Sequence, residues 1–188
     1  MRLFFASFAN ARAKELLERK SLWLQQQLPS GIKWVKPKNF HITLKFLGDT
    51  DEEKAKLLKE NLQETDFKLD KFPYKYQGLE VFPHKNNPRV IVTPVKLGKN
   101  KLTQIYEVLE DISVNLGFEK DDRKFKPHLT LGRVKNDNIK NDVNNFFSEL
   151  SEEYFINILD HMEKLSLVES NLTPEGPEYM EVFSKKFK

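Results

Sequence analysis

The chain contains no cysteine, so disulfides, thiolate metal sites and a cysteine nucleophile are all excluded. It has no uninterrupted apolar run of the length a membrane helix needs. The opening Met-Arg-Leu-Phe-Phe-Ala-Ser-Phe gives way to Arg12, Lys14 and Glu15 before a secretory apolar core could finish, and reads as a first strand. These gaps predict a cytoplasmic protein with no membrane partner. No Gly-x-Ser-x-Gly elbow marks a serine hydrolase, and no Walker loop or nucleotidyl-transfer lysine signature asks for ATP. Charge of one sign is also wanting. The net +3 from 31 basic and 28 acidic residues does not by itself declare a nucleic-acid binder.

Histidine is scarce, with four in 188 residues, and two of the four share one context. His41-Ile42-Thr43-Leu44 and His128-Leu129-Thr130-Leu131 repeat the pattern His-x-Thr-Leu 87 residues apart. The basic residues gather around both copies. Four lysines and no acid lie between Lys33 and Lys45, and six basic residues against Asp121 and Asp122 lie between Lys120 and Lys135. That coincidence points to an anionic substrate.

The same offset organises the whole chain. A strand at 2–8, a helix from the Asn10 cap to Gln27, a strand Phe40–Leu47, a helix opened by a Thr50-x-x-Glu53 capping box and running to Glu64, and a strand Tyr74–Phe82 fill the first half. After a loop at 83–88 the order repeats: strand Arg89–Val95, helix Asn100–Leu116, strand Pro127–Val134 and helix Asp137–Leu150. The offset maps Thr50 onto Asp137 as helix caps and Val81 onto Val168 in the following strands. Leu165–Ser170 and Tyr179–Phe187 read as closing strands around a turn at 174–177. The expected fold is therefore a single α+β domain over 1–188, a duplicated β-α-β-α-β unit divided near 1–86 and 87–188. Its two pseudo-symmetric lobes, built on antiparallel sheets, flank a central groove. Equivalent points on such lobes face one another, which would bring His41 and His128 together.

On a strand, residues i and i+2 share a face. His41 and Thr43 then stand side by side about 7 Å apart with Ile42 and Leu44 in the core, and His128 and Thr130 do the same. Two imidazoles across a groove supply a general base for a nucleophile and a general acid for a departing oxygen, as phosphodiester chemistry requires. Histidine suits both roles because its ordinary pKa of about 6.5 lies near working pH. The threonine hydroxyls are placed to hydrogen-bond non-bridging oxygens. By parity Lys45 shares the face of His41 and Thr43 and would add a cation, while Arg133 falls on the opposite face unless Gly132 forms a bulge that re-aims it. A metal site is disfavoured because neither motif supplies a third ligand. His84 and His161 read as surface or structural residues. A non-catalytic RNA-binding module remains the competing reading.

Together these runs resemble the 2H phosphoesterase superfamily, and within it the RNA 2′,3′-cyclic phosphodiesterases, also described as 2′-5′ RNA ligases. The resemblance rests on Met-Arg-Leu-Phe at the start, on 39–48 and 125–133, and on Ser170 with Gly176-Pro177-Glu178-Tyr179, and so spans essentially the whole chain. Gly132 departs from the alanine more usual there. The resemblance implies a metal-independent enzyme acting on RNA that ends in a 2′,3′-cyclic phosphate and leaving a 2′-phosphate; no cofactor is expected, and the expected state is a monomer. The reverse reaction would be 2′-5′ ligation. It implies His41 as proton donor, His128 as proton acceptor, and Thr43 and Thr130 as phosphate holders, whereas the residues alone leave acid and base unassigned. Related enzymes of small cyclic nucleotides or 2′-5′ oligonucleotides keep the substrate class open.

Overall fold

A computed structural model describes every residue except 85, 152–155 and 175. In chain order the elements are β1 (Arg2–Phe8), α1 (Ala11–Gln27), β2 (Ile32–Trp34), β3 (His41–Asp49), α2 (Glu52–Glu64), β4 (Phe72–Gln77), β5 (Glu80–His84), β6 (Asn87–Pro94), α3 (Lys99–Asn115), β7 (His128–Val134), α4 (Lys140–Glu149), β8 (Asn157–Met162), β9 (Lys164–Thr173) and β10 (Gly176–Lys186).

The helices begin and turn inward for local reasons. Asn10 accepts the amide of Ala13 and caps α1, which then buries Ala13, Leu17 and Leu24 along one face. The cap of α2 is Asp51, accepting from Lys54, and not the expected Thr50, whose hydroxyl instead bonds the Gly48 carbonyl. The longer run preceding α4 begins as a 3-10 turn at Asp137–Ile139, and Asp137 caps neither helix with its side chain.

The main sheet runs β10-β9-β1-β3-β7-β6-β5, with β2 also paired to β7. All of its pairings are antiparallel. The order is symmetric about the junction of β3 and β7: β1 and β6 flank the two histidine strands, and β9 and β5 lie outside them. Each outer strand comes from the opposite half of the sequence. The two crossing segments, β4 and β8, pair with each other in a separate two-stranded sheet. The expected strand Tyr74–Phe82 is therefore two strands in different sheets. Gly78, at a positive φ that disfavours side chains, makes the break. The loop expected at 83–88 is tighter than its composition suggests, because β5 and β6 extend into it from both sides; its residue 85 and the turn residue 175 lie outside the described residues. The short strands β2 and β8 have no clear signal in the sequence.

One face of the sheet packs against the helices. Leu3, Phe5, Ile42, Leu44, Leu129 and Leu131 join Leu17, Leu58, Ile105 and Val143 in a continuous core. The other face holds a small cluster, Phe4, Ala6 and Val168 with Phe8 and Tyr179 against them. This second face is open and borders a groove.

Candidate active site

β3 and β7 meet at a single register pair, Ile42 opposite Leu129. Directly opposed residues point to the same face of a sheet. Both are fully buried toward the helices, so His41, Thr43, His128 and Thr130 all emerge on the other face. Local pseudo-symmetry thus brings the two motifs side by side, as the duplicated pattern predicts. All four line one groove of about 1740 Å³.

Both rings are oriented by the same device. The Nδ1–H of His41 donates to the Asn39 carbonyl at 2.6 Å, and that of His128 donates to the Lys126 carbonyl at 2.7 Å. A carbonyl only accepts, so each ring is the Nδ1–H tautomer with Nε2 left as the basic atom facing the groove. The Thr43 hydroxyl donates to His41 Nε2 at 3.0 Å. Thr130 makes no such bond to His128 among the described residues.

The surroundings differ. His41 sits among Phe4 (centroids 5.3 Å apart), Phe8 (5.5 Å) and the perpendicular ring of Tyr179 (5.3 Å). Burial pushes its pKa down to about 4; the Asn39 carbonyl opposes this, and the charges of Arg133 and His128 add to it. His128 is the more open of the two and meets the edge of Phe82 at 4.9 Å. Its pKa is also lowered, mainly by burial, against the raising effect of the Lys126 carbonyl and with a further lowering by Arg133.

A bulge decides the fate of the two flanking cations. Pairing with β1 skips Leu44, and pairing with β6 skips Leu131, which is the equivalent residue 87 positions on. Each extra residue reverses the alternation beyond it, and the two strands show the same in-out burial pattern over seven residues. Lys45 is consequently turned away from His41 and Thr43. Its ammonium is buried against Glu110 Oε2 at 2.8 Å and Asp121 Oδ1 at 3.0 Å, which corrects the expectation that it adds a cation to the face of the motif. The same bulge brings Arg133 onto the histidine face, where its charge acts on His41, His128 and Tyr179 together. In the other repeat the place of Arg133 is taken by Phe46, which is 64% exposed in the groove. Gly132 is needed where it stands. A Cβ there would come within 2.9 Å of Ile32 and 3.0 Å of Trp34, side chains of the neighbouring β2.

Several contributors are not among the site residues expected from the sequence. Asn39 is buried and donates from Nδ2 to the Pro177 carbonyl, linking the support of His41 to the start of β10. Tyr179 and the Phe4, Phe8 and Phe82 rings come from strands far away in the chain. The Lys126 and Asn39 carbonyls are backbone atoms and have no residue-type signature; only their shared position two residues before each histidine could have hinted at them. His84 is exposed and lies outside this cluster, as does His161. Among the described residues no three His, Asp or Glu side chains converge in the manner of a metal site.

Comparison with known proteins finds the same design. The family model described as LigT like Phosphoesterase matches twice, over residues 9–92 and 92–179. An RNA 2′,3′-cyclic phosphodiesterase of Aquifex aeolicus is 35% identical over 95% of this chain and 93% of its own length. One of Archaeoglobus fulgidus is 35% identical over 97% and 98%. Among solved structures, TT0787 of Thermus thermophilus superposes with a TM-score of 0.79 at 25% identity, over 100% of this chain and 98% of the other. Escherichia coli LigT complexed with 3′-AMP gives 0.80 at 21% identity, over 99% and 97%, a likeness of fold.

Proposed function

The chain belongs to the LigT-like, or 2H, phosphoesterases and is a phosphodiesterase, and we propose that it opens terminal 2′,3′-cyclic phosphates on RNA by two-histidine acid-base catalysis without a metal. The observation that carries this reading is the convergence of His41, Thr43, His128 and Thr130 on one sheet face, with both Nε2 atoms presented by equivalent carbonyls.

In this reading His128 Nε2 takes a proton from water as the water oxygen bonds to phosphorus. The bond from phosphorus to the 3′-oxygen breaks, and His41 Nε2 gives its proton to that oxygen. A 2′-phosphate and a 3′-hydroxyl result, and the proton gained by His128 returns through solvent to restore His41. The more open position of His128 favours it as the base that meets water. His41 is neutral in the free protein near pH 7, so it must gain its proton with the anionic substrate, whose charge raises the pKa of a nearby imidazole. Protonation of Nε2 also reverses the bond with Thr43. The ring then donates, and the freed hydroxyl hydrogen can turn to a phosphate oxygen. Arg133 faces the same charge. With a 5′-hydroxyl in place of water as the attacking group, the same steps would form a 2′-5′ linkage.

An RNA end suits the groove better than a small cyclic nucleotide does. Its volume exceeds the roughly 300–1,000 Å³ of small-molecule pockets. Lys33, Lys36 and Lys38 lie along it before His41, and Lys120, Arg123 and Lys124 lie along it before His128, suiting a phosphate backbone.

The test is incubation of EDTA-treated protein with a short RNA ending in a 2′,3′-cyclic phosphate. The expected product is a 2′-phosphate, formed by the wild type and lost with His41→Ala and with His128→Ala while RNA binding persists. RNA binding without turnover in the wild type would instead support a binding module.

A further inference from the structure

The bulge that turns the Lys45 ammonium away from His41 and Thr43 leaves a buried cation outside the acid-base machinery. Its side chain is 1% exposed; its ammonium donates to the Glu119 carbonyl at 2.8 Å and forms ion pairs with Glu110 Oε2 at 2.8 Å and Asp121 Oδ1 at 3.0 Å. Glu110 reaches the same segment by a second route, its Oε1 accepting the Asp121 amide at 2.7 Å. Tyr106, also on α3, donates to Asp121 Oδ2 at 3.4 Å. Residues 119–121 are thereby fastened to β3 and α3 together.

The far end of the same connection is held separately. Phe125 stacks flat on Tyr106 with centroids 4.4 Å apart, and the Pro127 carbonyl accepts the Val95 amide at 2.9 Å. Lys120 lies within the first anchor and Arg123 and Lys124 between the two, all exposed along the groove. Fixed cations grip a phosphate chain at lower entropic cost than wandering ones.

We propose that Lys45 is a positioning residue for RNA: through Glu110, Glu119 and Asp121 it clamps the first half of the 118–127 loop, so that Lys120, Arg123 and Lys124 present a fixed rim to the phosphates upstream of the reacting end. This rests on the reading of the substrate as an RNA chain. Because the second anchor lies next to His128, the clamp governs grip on the chain and leaves the reacting groups in place.

The experiment compares wild type, Asp121→Asn and Lys45→Met in two assays. The first is fluorescence anisotropy of a labelled ten-nucleotide single-stranded RNA ending in a 2′-phosphate, titrated across salt. The second is steady-state turnover of a cyclic 2′,3′-mononucleotide. Asp121→Asn is a conservative change at a partly exposed loop position and leaves no buried carboxylate stranded, so it covers the case in which Lys45→Met fails to fold. The expected result is RNA binding weakened roughly 3- to 30-fold, with the slope of log K against log salt shallower by about 1.4 for two lost phosphate contacts. For Asp121→Asn, kcat and KM on the mononucleotide stay at wild-type values. Removing an acidic charge beside the rim would by itself strengthen RNA binding, so weakening is opposite in sign to the bare charge effect. Unchanged affinity and slope overturn the clamp, as does parallel loss of mononucleotide turnover, which would mean that the network holds the reacting groups. A wild type that binds RNA with the full slope but turns over neither substrate sinks the catalytic reading instead, while the anisotropy arm still decides the clamp.

Discussion

Ile42 stands directly opposite Leu129, and this one pair joins the histidine strands of the two repeats. Around it the local two-fold relation places each motif's polar side chains on the open face and its apolar side chains in the core. Across the junction each lobe supplies one imidazole, one hydroxyl and one oriented carbonyl to the shared groove.

The first consequence concerns pH and rate. Both histidines are held below their ordinary value in the free protein, and a reaction needing one protonated and one neutral ring is fastest between the two pKa values of the pair. The optimum of kcat/KM is therefore expected below pH 6.5. In the substrate complex the bound anion raises both values, so the optimum of kcat should lie at higher pH. Initial rates from pH 4 to 8 check this; a kcat/KM optimum above 7 would contradict the arrangement.

Arg133 contributes to that depression at both rings, so its replacement has a defined sign. Arg133→Gln is expected to move the kcat/KM optimum upward in pH and to raise KM for the anionic substrate. A lowered or unmoved optimum would show that the guanidinium does not act on the rings. The comparison is a pair of pH–rate profiles under equal salt.

Stability should carry the signature of His41 as well. Its folded pKa of about 4 lies below the unfolded value, so between the two the unfolded chain binds the extra proton and stability falls as pH is lowered. From pH 7 to 4 the loss from this group amounts to about 3 kcal/mol. Urea unfolding of wild type and His41→Gln at both ends of the range measures it. The variant should lose less stability over the range than the wild type.

Gly132 offers a packing test. An added Cβ meets Ile32 and Trp34 of the adjacent strand, and Gly132→Ala is expected to cost about 1–3 kcal/mol by crowding them. Ile32→Ala removes the Cγ2 that the new Cβ would meet, so the losses from Gly132→Ala and Ile32→Ala are expected to be less than additive in the double variant. Thermal denaturation of the three variants is the measurement.

Thr43 and Asn39 separate chemistry from support. Thr43→Val removes the hydroxyl bonded to His41 and is expected to lower kcat by about 10²–10³ if it serves the phosphate in the transition state. Asn39→Ala keeps the carbonyl that orients the ring but frees it from Pro177, and should lower kcat less while shifting the acid limb of the profile. Equal losses from both would argue that Thr43 acts only by holding the ring.

The sequence by itself determined the duplication, the two His-x-Thr strands and the helices that cover them. These rest on local periodicity and on residue types repeated at a constant offset, which a chain carries wherever it folds. Strict alternation from His41 would put Lys45 on the histidine face and Arg133 on the opposite one, and the tertiary structure reversed both. A bulge depends on which residues of β1 and β6 accept β3 and β7, and pairing partners distant in the chain leave no trace in local alternation. The exchange of β5 and β9 between lobes, the aromatic surroundings of His41 and the buried Lys45–Glu110–Asp121 network were decided at the same level. Each joins segments far apart in sequence, and only packing against one shared core brings them together.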